Sequence, residues 1–286
     1  MDFRTDLAIE IKESLPRKTS DGIETVAFEK SGVKVTKIKI TNSEGEQAIG
    51  KPCGTYITAE IPNLTKYSCA DESVMAILGS LLSDLLPKDG TVLTVGLGND
   101  NITPDALGPL SCSMILATRH ISGELAKSVG LDSLRPSAVH TPGVLGQTGV
   151  ESAEIIKGIV RQINPAAVIV IDALAARRLS RLGCTVQKSD TGIIPGSGVG
   201  NSRAEISKST LGIPVVSIGV PTVVDAGTLV HGLIGESTPL KKENSNMIIT
   251  PREIDLVIDR AARLVGMAVN KALQPHISAE EILMLL

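Results

Sequence analysis

The sequence predicts an α/β fold in which a central, mostly parallel sheet is flanked by helices and follows a β-rich N-terminal portion. Two observations carry this prediction. From about residue 91 onward, short strands without a polar face alternate with amphipathic helices, a pattern typical of a parallel sheet covered on both sides. Before that point, residues 22–68 show the apolar–polar alternation of strands.

The N-terminal portion contains two predicted strands followed by a helix. Val33 and Val35 alternate with polar residues. Ile38 and Ile40 continue the alternation, but with the parity shifted by one, and a β-bulge between the two pairs would explain that shift. The range 54–61 is the next predicted strand, and apolar residues at helical spacing predict a helix from about residue 71.

The later elements follow one another in the order expected of an α/β fold. The predicted strands are short and apolar: residues 91–95, 168–171 and 214–218. The predicted helices are amphipathic and cover residues 152–163 and 252–273. Ser278 with Glu281 forms a capping box that begins a last helix. Because no repeat or low-complexity linker interrupts this order, the sequence predicts a single domain.

Composition excludes several classes of protein. The 286 residues include 28 Lys and Arg, 31 Asp and Glu, and only two Tyr, two Phe and no Trp. A net charge of −3 without a basic stripe, and few rings on which bases could stack, argue against direct nucleic-acid binding. Four scattered cysteines without a CxxC pair predict reduced thiols. With no membrane-spanning run and no signal peptide, we expect a cytoplasmic protein without a membrane partner.

Two aspartates follow strands of the predicted sheet. Asp105 lies in a glycine-rich loop after the strand at 91–95, where Thr103 would cap the next helix and Pro104 would occupy its first turn. Asp172 ends the strand at 168–171 and would cap a helix over residues 173–182. Capping alone would explain both carboxylates. Alternatively, they face each other across a cleft at the carboxyl edge of the sheet, where like charges drive their pKa values apart and give one acid and one base.

A further loop, residues 190–203, offers other candidate site residues. Its four glycines permit close approach of a ligand to the backbone, but it matches neither a P-loop nor a dinucleotide-binding motif, and a tight surface turn is equally compatible. The candidates for substrate or site loops are Asn99, Asp190, Gly196, Ser197 and Gly198. Weaker candidates, for which a structural role is the simpler explanation, are His140, Asp225 and His231.

Five segments together resemble the bacterial spore germination protease family. They are the loop at residues 96–109, the run at 142–149, the strand end at 171–177, the glycine loop at 190–201 and the stretch at 219–226. These segments occur in order from the N-terminus to about residue 230, so the resemblance covers most of the chain and is specific.

The resemblance implies an endopeptidase that initiates degradation of small acid-soluble spore proteins during germination. It also implies a homotetramer made as a zymogen in the forespore and a phosphorylase/hydrolase-like fold, similar to that of hydrogenase maturation proteases. On the family pattern, Asp105 and Asp172 match the two catalytic aspartates. We favour a metal-free aspartic mechanism because the sequence lacks a zinc-protease motif, although a divalent metal at these two residues stays an alternative.

The N-terminus resembles the sites that the family cleaves. Those sites read threonine, glutamate, isoleucine or phenylalanine, alanine, serine and glutamate, with the cut after the first glutamate. Residues 5–10 have the same arrangement with Asp6 in the place of that glutamate. We therefore predict autoprocessing between Asp6 and Leu7, with residues 1–6 as the propeptide and residues 7–286 as one α/β peptidase domain. An ordinary exposed N-terminus is the alternative.

Two other functions stay open from the sequence alone. A nucleoside phosphorylase-like enzyme shares the general architecture and would bind phosphate at the glycine loop, but base pockets usually contain an aromatic ring. A non-catalytic protein would bind spore proteins without cleaving them.

Overall fold

The computed structural model describes residues 4–16, 21–61, 72–121, 123–128, 131–234 and 247–286. Its described strands join one mixed sheet. They are β1 (Ile23–Lys30), β2 (Val33–Ile40), β3 (Gly54–Glu60), β4 (Val92–Gly96), β5 (Ser137–His140), β6 (Ala167–Ala176), β7 (Thr185–Ser189), β8 (Val215–Asp225) and β9 (Ile248–Ile249). The order across the sheet is β1-β2-β3-β7-β8-β6-β4-β5, and β9 pairs with β8.

The sheet has a parallel core and an antiparallel wing. Strands β8, β6, β4 and β5 run parallel to one another, whereas β1, β2, β3 and β7 pair antiparallel and join the core through β8. Of these strands, β4, β6 and β8 are almost wholly buried, as their largely apolar sequences predict. This arrangement confirms the predicted α/β class with a β-rich N-terminal portion.

Helices cover both faces of the sheet. They are α1 (Ala8–Ser14), α2 (Ser43–Ile49), α3 (Glu72–Ser83), α4 (Leu107–Cys112), α5 (Gly123–Ser128), α6 (Leu145–Thr148), α7 (Ser152–Ile163), α8 (Lys208–Leu211), α9 (Ala226–Ile234), α10 (Ile254–Leu273) and α11 (Ala279–Leu285). On one face, α3 and α10 pack over a large apolar core. On the other face, α7 covers the parallel strands and α1 covers the wing, so this face has two separate apolar clusters.

The predicted bulge in β2 is wrong. Its pairing with β1 and with β3 runs without a register shift. Val33 and Val35 are buried in the large core beneath α3 and α10, whereas Ile38 and Ile40 are buried beneath α1 on the opposite face. The parity of the apolar residues changes because the first half of the strand is covered on one face and the second half on the other.

The predicted helix over residues 173–182 is also wrong. Strand β6 continues through Asp172 to Ala176 and pairs with β8 over residues 168–176, with one register shift after Leu174. A short 3₁₀ turn follows at residues 179–181. Asp172 therefore caps no helix and lies inside a buried strand. Thr103 does not cap a helix either: it is the first residue of a 3₁₀ turn that ends at Asp105, and that turn has no side-chain cap.

The other predicted helices agree with the structure. Helix α7 has the predicted bounds, α10 begins two residues later than predicted, and Ser278 forms the capping box with Glu281 at the start of α11. In the part of the chain that the structure describes, no helix is long and apolar enough to cross a membrane.

Candidate active site

Asp172 lies between the two apolar clusters on one face of the sheet. Residues two apart in a strand share a face, so its side chain is on the same face as Val170 and Leu174. Val170 packs under α7 and Leu174 packs under α1. The carboxyl group thus lies where neither helix covers the sheet, and this gap forms a cleft.

Asp105 reaches the same cleft from the loop that follows β4. Gly98 has a φ of +110°, and a side chain there would come within 2.0 Å of the Asp105 carbonyl oxygen, so the loop folds tightly back on itself. The Asn99 N–H donates to Asp105 Oδ2 at 2.8 Å and holds that carboxylate. Because β4 and β6 are adjacent and parallel, their carboxyl ends place Asp105 near Asp172.

The environment drives the pKa values of the two aspartates upward to different degrees. Burial, the charge of Asp105 and the charge of Asp6 together hold the pKa of Asp172 well above its usual value. Burial also raises the pKa of Asp105, but the hydrogen bond from Asn99 offsets part of that rise. Asp172 is 6% exposed and, among the described residues, accepts one backbone hydrogen bond, from Ala173, so it is the carboxyl group that more readily keeps its proton.

Both aspartates line a cavity of about 630 Å³. Its wall combines the loop after β4, the α6–α7 region, β6, part of the glycine loop and the N-terminal segment through Asp6. A volume of this size can hold several residues of a peptide. The lining includes few charged groups besides the three aspartates, which lie together in a largely apolar surrounding.

The N-terminal segment runs along the end of β6 into this cavity. The Asp6 N–H donates to the Ala175 carbonyl at 2.9 Å, and the Ala175 N–H donates to Asp6 Oδ2 at 2.8 Å. Ser197 Oγ donates to Asp6 Oδ1 at 2.9 Å. The next residue, Leu7, is fully buried. The peptide bond between Asp6 and Leu7 is therefore held at the edge of the carboxylate-containing cleft.

Glu10 anchors the same segment. Its carboxylate accepts the backbone N–H groups of Arg177 at 2.6 Å and Arg178 at 2.9 Å, and Thr5 donates its hydroxyl to it. The Arg181 Nε lies 3.7 Å from Glu10 Oε1, and both side chains are buried. No sequence pattern had singled out this pair, because a Glu in a short amphipathic helix ordinarily faces solvent.

Four of the five candidate loop residues lie at the cleft. Asn99 and Gly196 line the cavity, Ser197 binds Asp6, and a side chain at Gly198 would overlap Asp6 Oδ2. Asp190 does not join them: its carboxylate accepts the Thr55 N–H at 2.7 Å and ties the end of β7 to β3.

The weaker candidates have structural positions. His140 ends β5, where burial lowers its pKa and its Nε2 has no hydrogen-bond partner among the described residues. Asp225 caps α9 by accepting the Thr228 N–H and hydroxyl, and its other oxygen lies 3.6 Å from Arg4. The side chain of His231 lies outside the described residues.

Two comparisons of the sequence with known proteins agree on one family. A sequence profile described as germination protease matches residues 4–237. A germination protease of Caldanaerobacter subterraneus is 43% identical over 99% of this chain and 98% of its own length. Those of Clostridium tetani and Bacillus pumilus are 39% and 36% identical, covering 99% and 97% of this chain and 98% and 95% of their own.

Among solved structures, the [NiFe] hydrogenase maturation protease HycI from Thermococcus kodakarensis is similar over 66% of this chain and 98% of its own, with 18% identity and a TM-score of 0.37. The family profile and the curated relatives confirm the resemblance first seen in the motifs around the two aspartates: the chain belongs to the germination protease family.

Proposed function

We propose that this chain is the endopeptidase that begins degradation of small acid-soluble spore proteins during germination, acting in the cytoplasm-derived core of the spore. The observation that carries the proposal is the pair formed by Asp105 and Asp172 in one cleft, with a peptide bond of the chain itself held at its edge. Family membership supports the same function.

In the proposed mechanism, Asp105 is the base and Asp172 is the acid. Asp105 is the less perturbed carboxyl, so it is ionised and removes a proton from water as the water oxygen attacks the scissile carbonyl carbon. Asp172 is protonated and gives its proton to the leaving amine nitrogen as the C–N bond breaks. The proton gained by Asp105 then restores Asp172, so the net reaction adds one water to the peptide bond.

The proposal does not use a metal. Within the described ranges, no group of three or more His, Cys, Asp or Glu side chains is arranged to hold a metal ion. A divalent ion would be held by Asp105 and Asp172, and it would activate a bound water. A chelator separates the two mechanisms, because only the metal-dependent reaction would lose activity and regain it when the divalent ion is restored.

We further propose that the chain is a zymogen that cleaves itself between Asp6 and Leu7, releasing residues 1–6 as a propeptide and leaving residues 7–286 as the peptidase. Tethering gives the segment a high local concentration at the cleft. The hydrogen bonds of Asp6 to Ala175 and Ser197 support this assignment. N-terminal sequencing after incubation at mildly acidic pH tests it, and a new terminus at any residue other than Leu7 contradicts it.

The proposed assembly is a homotetramer. Exposed apolar side chains on β1 (Val26 and Phe28) and on α11 (Leu283 and Met284) provide surfaces that association would cover. Light scattering after gel filtration measures the mass, and a monomer at micromolar concentration would contradict the proposal.

The deciding experiment incubates the purified protein with a small acid-soluble spore protein, with and without chelator. We expect defined cleavage products that the chelator does not abolish. Asp105→Asn and Asp172→Asn should fold and lose at least about 1,000-fold in kcat, because each removes one proton-transfer group. A folded, fully active Asn variant at either position would refute the mechanism. Binding without cleavage would indicate a non-catalytic binder, and phosphate-dependent release of a base from a nucleoside would indicate a phosphorylase.

A further inference from the structure

Gln187 shares a row of the sheet with Asp172. Gln187 on β7 pairs with Gly219 on β8, and Gly219 pairs with Asp172 on β6. Paired residues on adjacent strands have their side chains on the same face, so Gln187 and Asp172 lie on one face of the sheet, on strands about 10 Å apart. The Leu174 side chain packs over Gly219 between them, and Gln187 lines a second cavity that shares Asp6 and Leu174 with the cleft.

The Gln187 side chain binds the backbone on both sides of the Asp6–Leu7 bond. Its Nε2 donates to the Asp6 carbonyl oxygen at 2.8 Å, and its Oε1 accepts the Ala8 N–H at 2.8 Å. These partners fix the orientation of the amide, because a carbonyl can only accept and an N–H can only donate. The residue is 7% exposed, so little water competes for either bond.

We propose that Gln187 is a further catalytic residue, which holds and polarises the carbonyl oxygen of the peptide bond being cut. The proposal rests on the proposed endopeptidase function and on cleavage at Asp6–Leu7. As water adds to the carbonyl carbon, negative charge develops on the oxygen that accepts the Gln187 N–H, and the hydrogen bond strengthens. Gln187 stays neutral and transfers no proton. Asp172 is then free to protonate the leaving nitrogen.

The contacts also indicate how a peptide is chosen. Among the described residues, the Gln187 amide hydrogen-bonds to backbone groups, so it would serve a peptide of any sequence that follows the same path. Selection of an acidic side chain before the cut falls to Ser197 and the Ala175 N–H, which bind the Asp6 carboxylate. Binding of the peptide backbone and selection of its side chain thus belong to different residues.

If Gln187 only stabilised α1 against the sheet, its substitution would have a different effect from the loss of a catalytic residue, and three variants distinguish the two roles. Gln187→Glu keeps an oxygen for the N–H two residues after the cut but replaces the N–H donor with a second oxygen. Gln187→Met removes both hydrogen-bonding groups and keeps the length of the side chain. Thr58→Val is the matched control, because Thr58 is the neighbour of Gln187 in the same row, is buried, and has a hydroxyl with no hydrogen-bond partner among the described residues.

The experiment measures kcat and KM for a small acid-soluble spore protein with the full-length chain and these variants, together with the rate of N-terminal processing. We expect Gln187→Glu and Gln187→Met to lower kcat about 100-fold, the usual effect of losing one donor to a developing oxyanion. Thr58→Val should stay within threefold of wild type. The activity of Gln187→Glu relative to wild type should rise between pH 8 and pH 5, because a protonated Glu regains a donor.

Thermal unfolding is measured alongside, so that loss of the fold is recognised. If the folded Gln187→Glu and Gln187→Met variants keep kcat within threefold of wild type, or change only KM, the catalytic role is refuted while the proposed function stands. If the wild-type protein fails to cleave the spore protein, the proposed function itself fails. Because two chemically different replacements are compared, misfolding of one does not remove the test.

Discussion

The carboxylate of Glu10 should be the strongest single anchor of the N-terminal segment, and Glu10→Gln tests this. The substitution keeps the size of the side chain and one acceptor oxygen. It places an NH₂ group against the backbone N–H of Arg177 or Arg178, both of which donate to the wild-type carboxylate. Arg181 keeps other carboxylates, because Glu13 lies 2.8 Å and Glu60 3.7 Å from its guanidinium.

The expected cost is therefore that of one charge-assisted hydrogen bond with a buried N–H left unpaired, about 3 kcal/mol. This is below the full cost of stranding a buried arginine, because the charge of Arg181 stays compensated. For 286 residues the entropy of unfolding is about 0.6 kcal/mol/K, so Tm should fall by about 5 °C.

Chemical denaturation measures the loss, and proteolysis near residues 8–14 detects detachment of α1 without global unfolding. Glu13→Gln is the matched control, since Glu13 lies in the same helix and pairs with Arg178 and Arg181 but is partly exposed. We expect that variant to lose less than about 1 kcal/mol. Equal losses for the two variants, with α1 equally protected, would refute the assignment of Glu10 as the anchor.

Two further predictions concern the cleft and the opposite face of the sheet. Gly198→Ala should slow processing at Asp6–Leu7 at least about tenfold, because the new Cβ would lie 2.1 Å from Asp6 Oδ2. Gly158→Ala is the control, since open space surrounds that residue, and it should leave the processing rate unchanged. Equal processing rates for the two variants would contradict the contact between Gly198 and Asp6. Burial lowers the pKa of Lys188 to about 7 from 10.5, so the unfolded chain binds more protons between those pH values and wild-type stability should rise with pH there. Lys188→Met should consequently be more stable than wild type by about 3 kcal/mol at pH 7, and this difference in the free energy of unfolding should shrink towards pH 10. Chemical denaturation across that pH range measures it, and a difference that does not change with pH would contradict a buried charge at Lys188.

Much of the site was predictable because it depends on the order of elements along the chain. Apolar runs identified β4 and β6, and adjacent parallel strands necessarily bring their carboxyl ends to one edge of the sheet. The convergence of Asp105 and Asp172 therefore needed only that these two strands be neighbours, which the structure shows. The glycine loop reaches the same edge, where Gly196 and Gly198 line the cavity and Ser197 donates to Asp6.

The predictions from sequence were wrong or incomplete where contacts between residues far apart in the chain override the local preference for a secondary structure. Residues 173–176 are alanines and a leucine, which favour helix in isolation, yet β8 and the N-terminal segment hold them in a strand. Gln187 and Lys188 are consecutive polar residues, both buried, and no alternation of apolar and polar residues predicts that. Gln187 can be buried because its amide is hydrogen-bonded to the backbone of Asp6 and Ala8. Those partners lie about 180 residues away in the sequence, so no local pattern identifies them.

Cleavage between Asp6 and Leu7 would itself weaken the binding of the new N-terminal segment, from Leu7 onward, at the cleft. The cut removes the hydrogen bonds of Asp6 to Ala175, Ser197 and Gln187, and it leaves a new α-ammonium group on Leu7, a fully buried residue. A charged amine at a buried position is costly unless it is paired, and a helix as short as α1 has little stability of its own. We therefore expect the first turn of α1 to loosen after processing. The departure of Asp6 also frees the Nε2 of Gln187 for the carbonyl of another chain, so removing the propeptide would make a self-occupied cleft available to substrate.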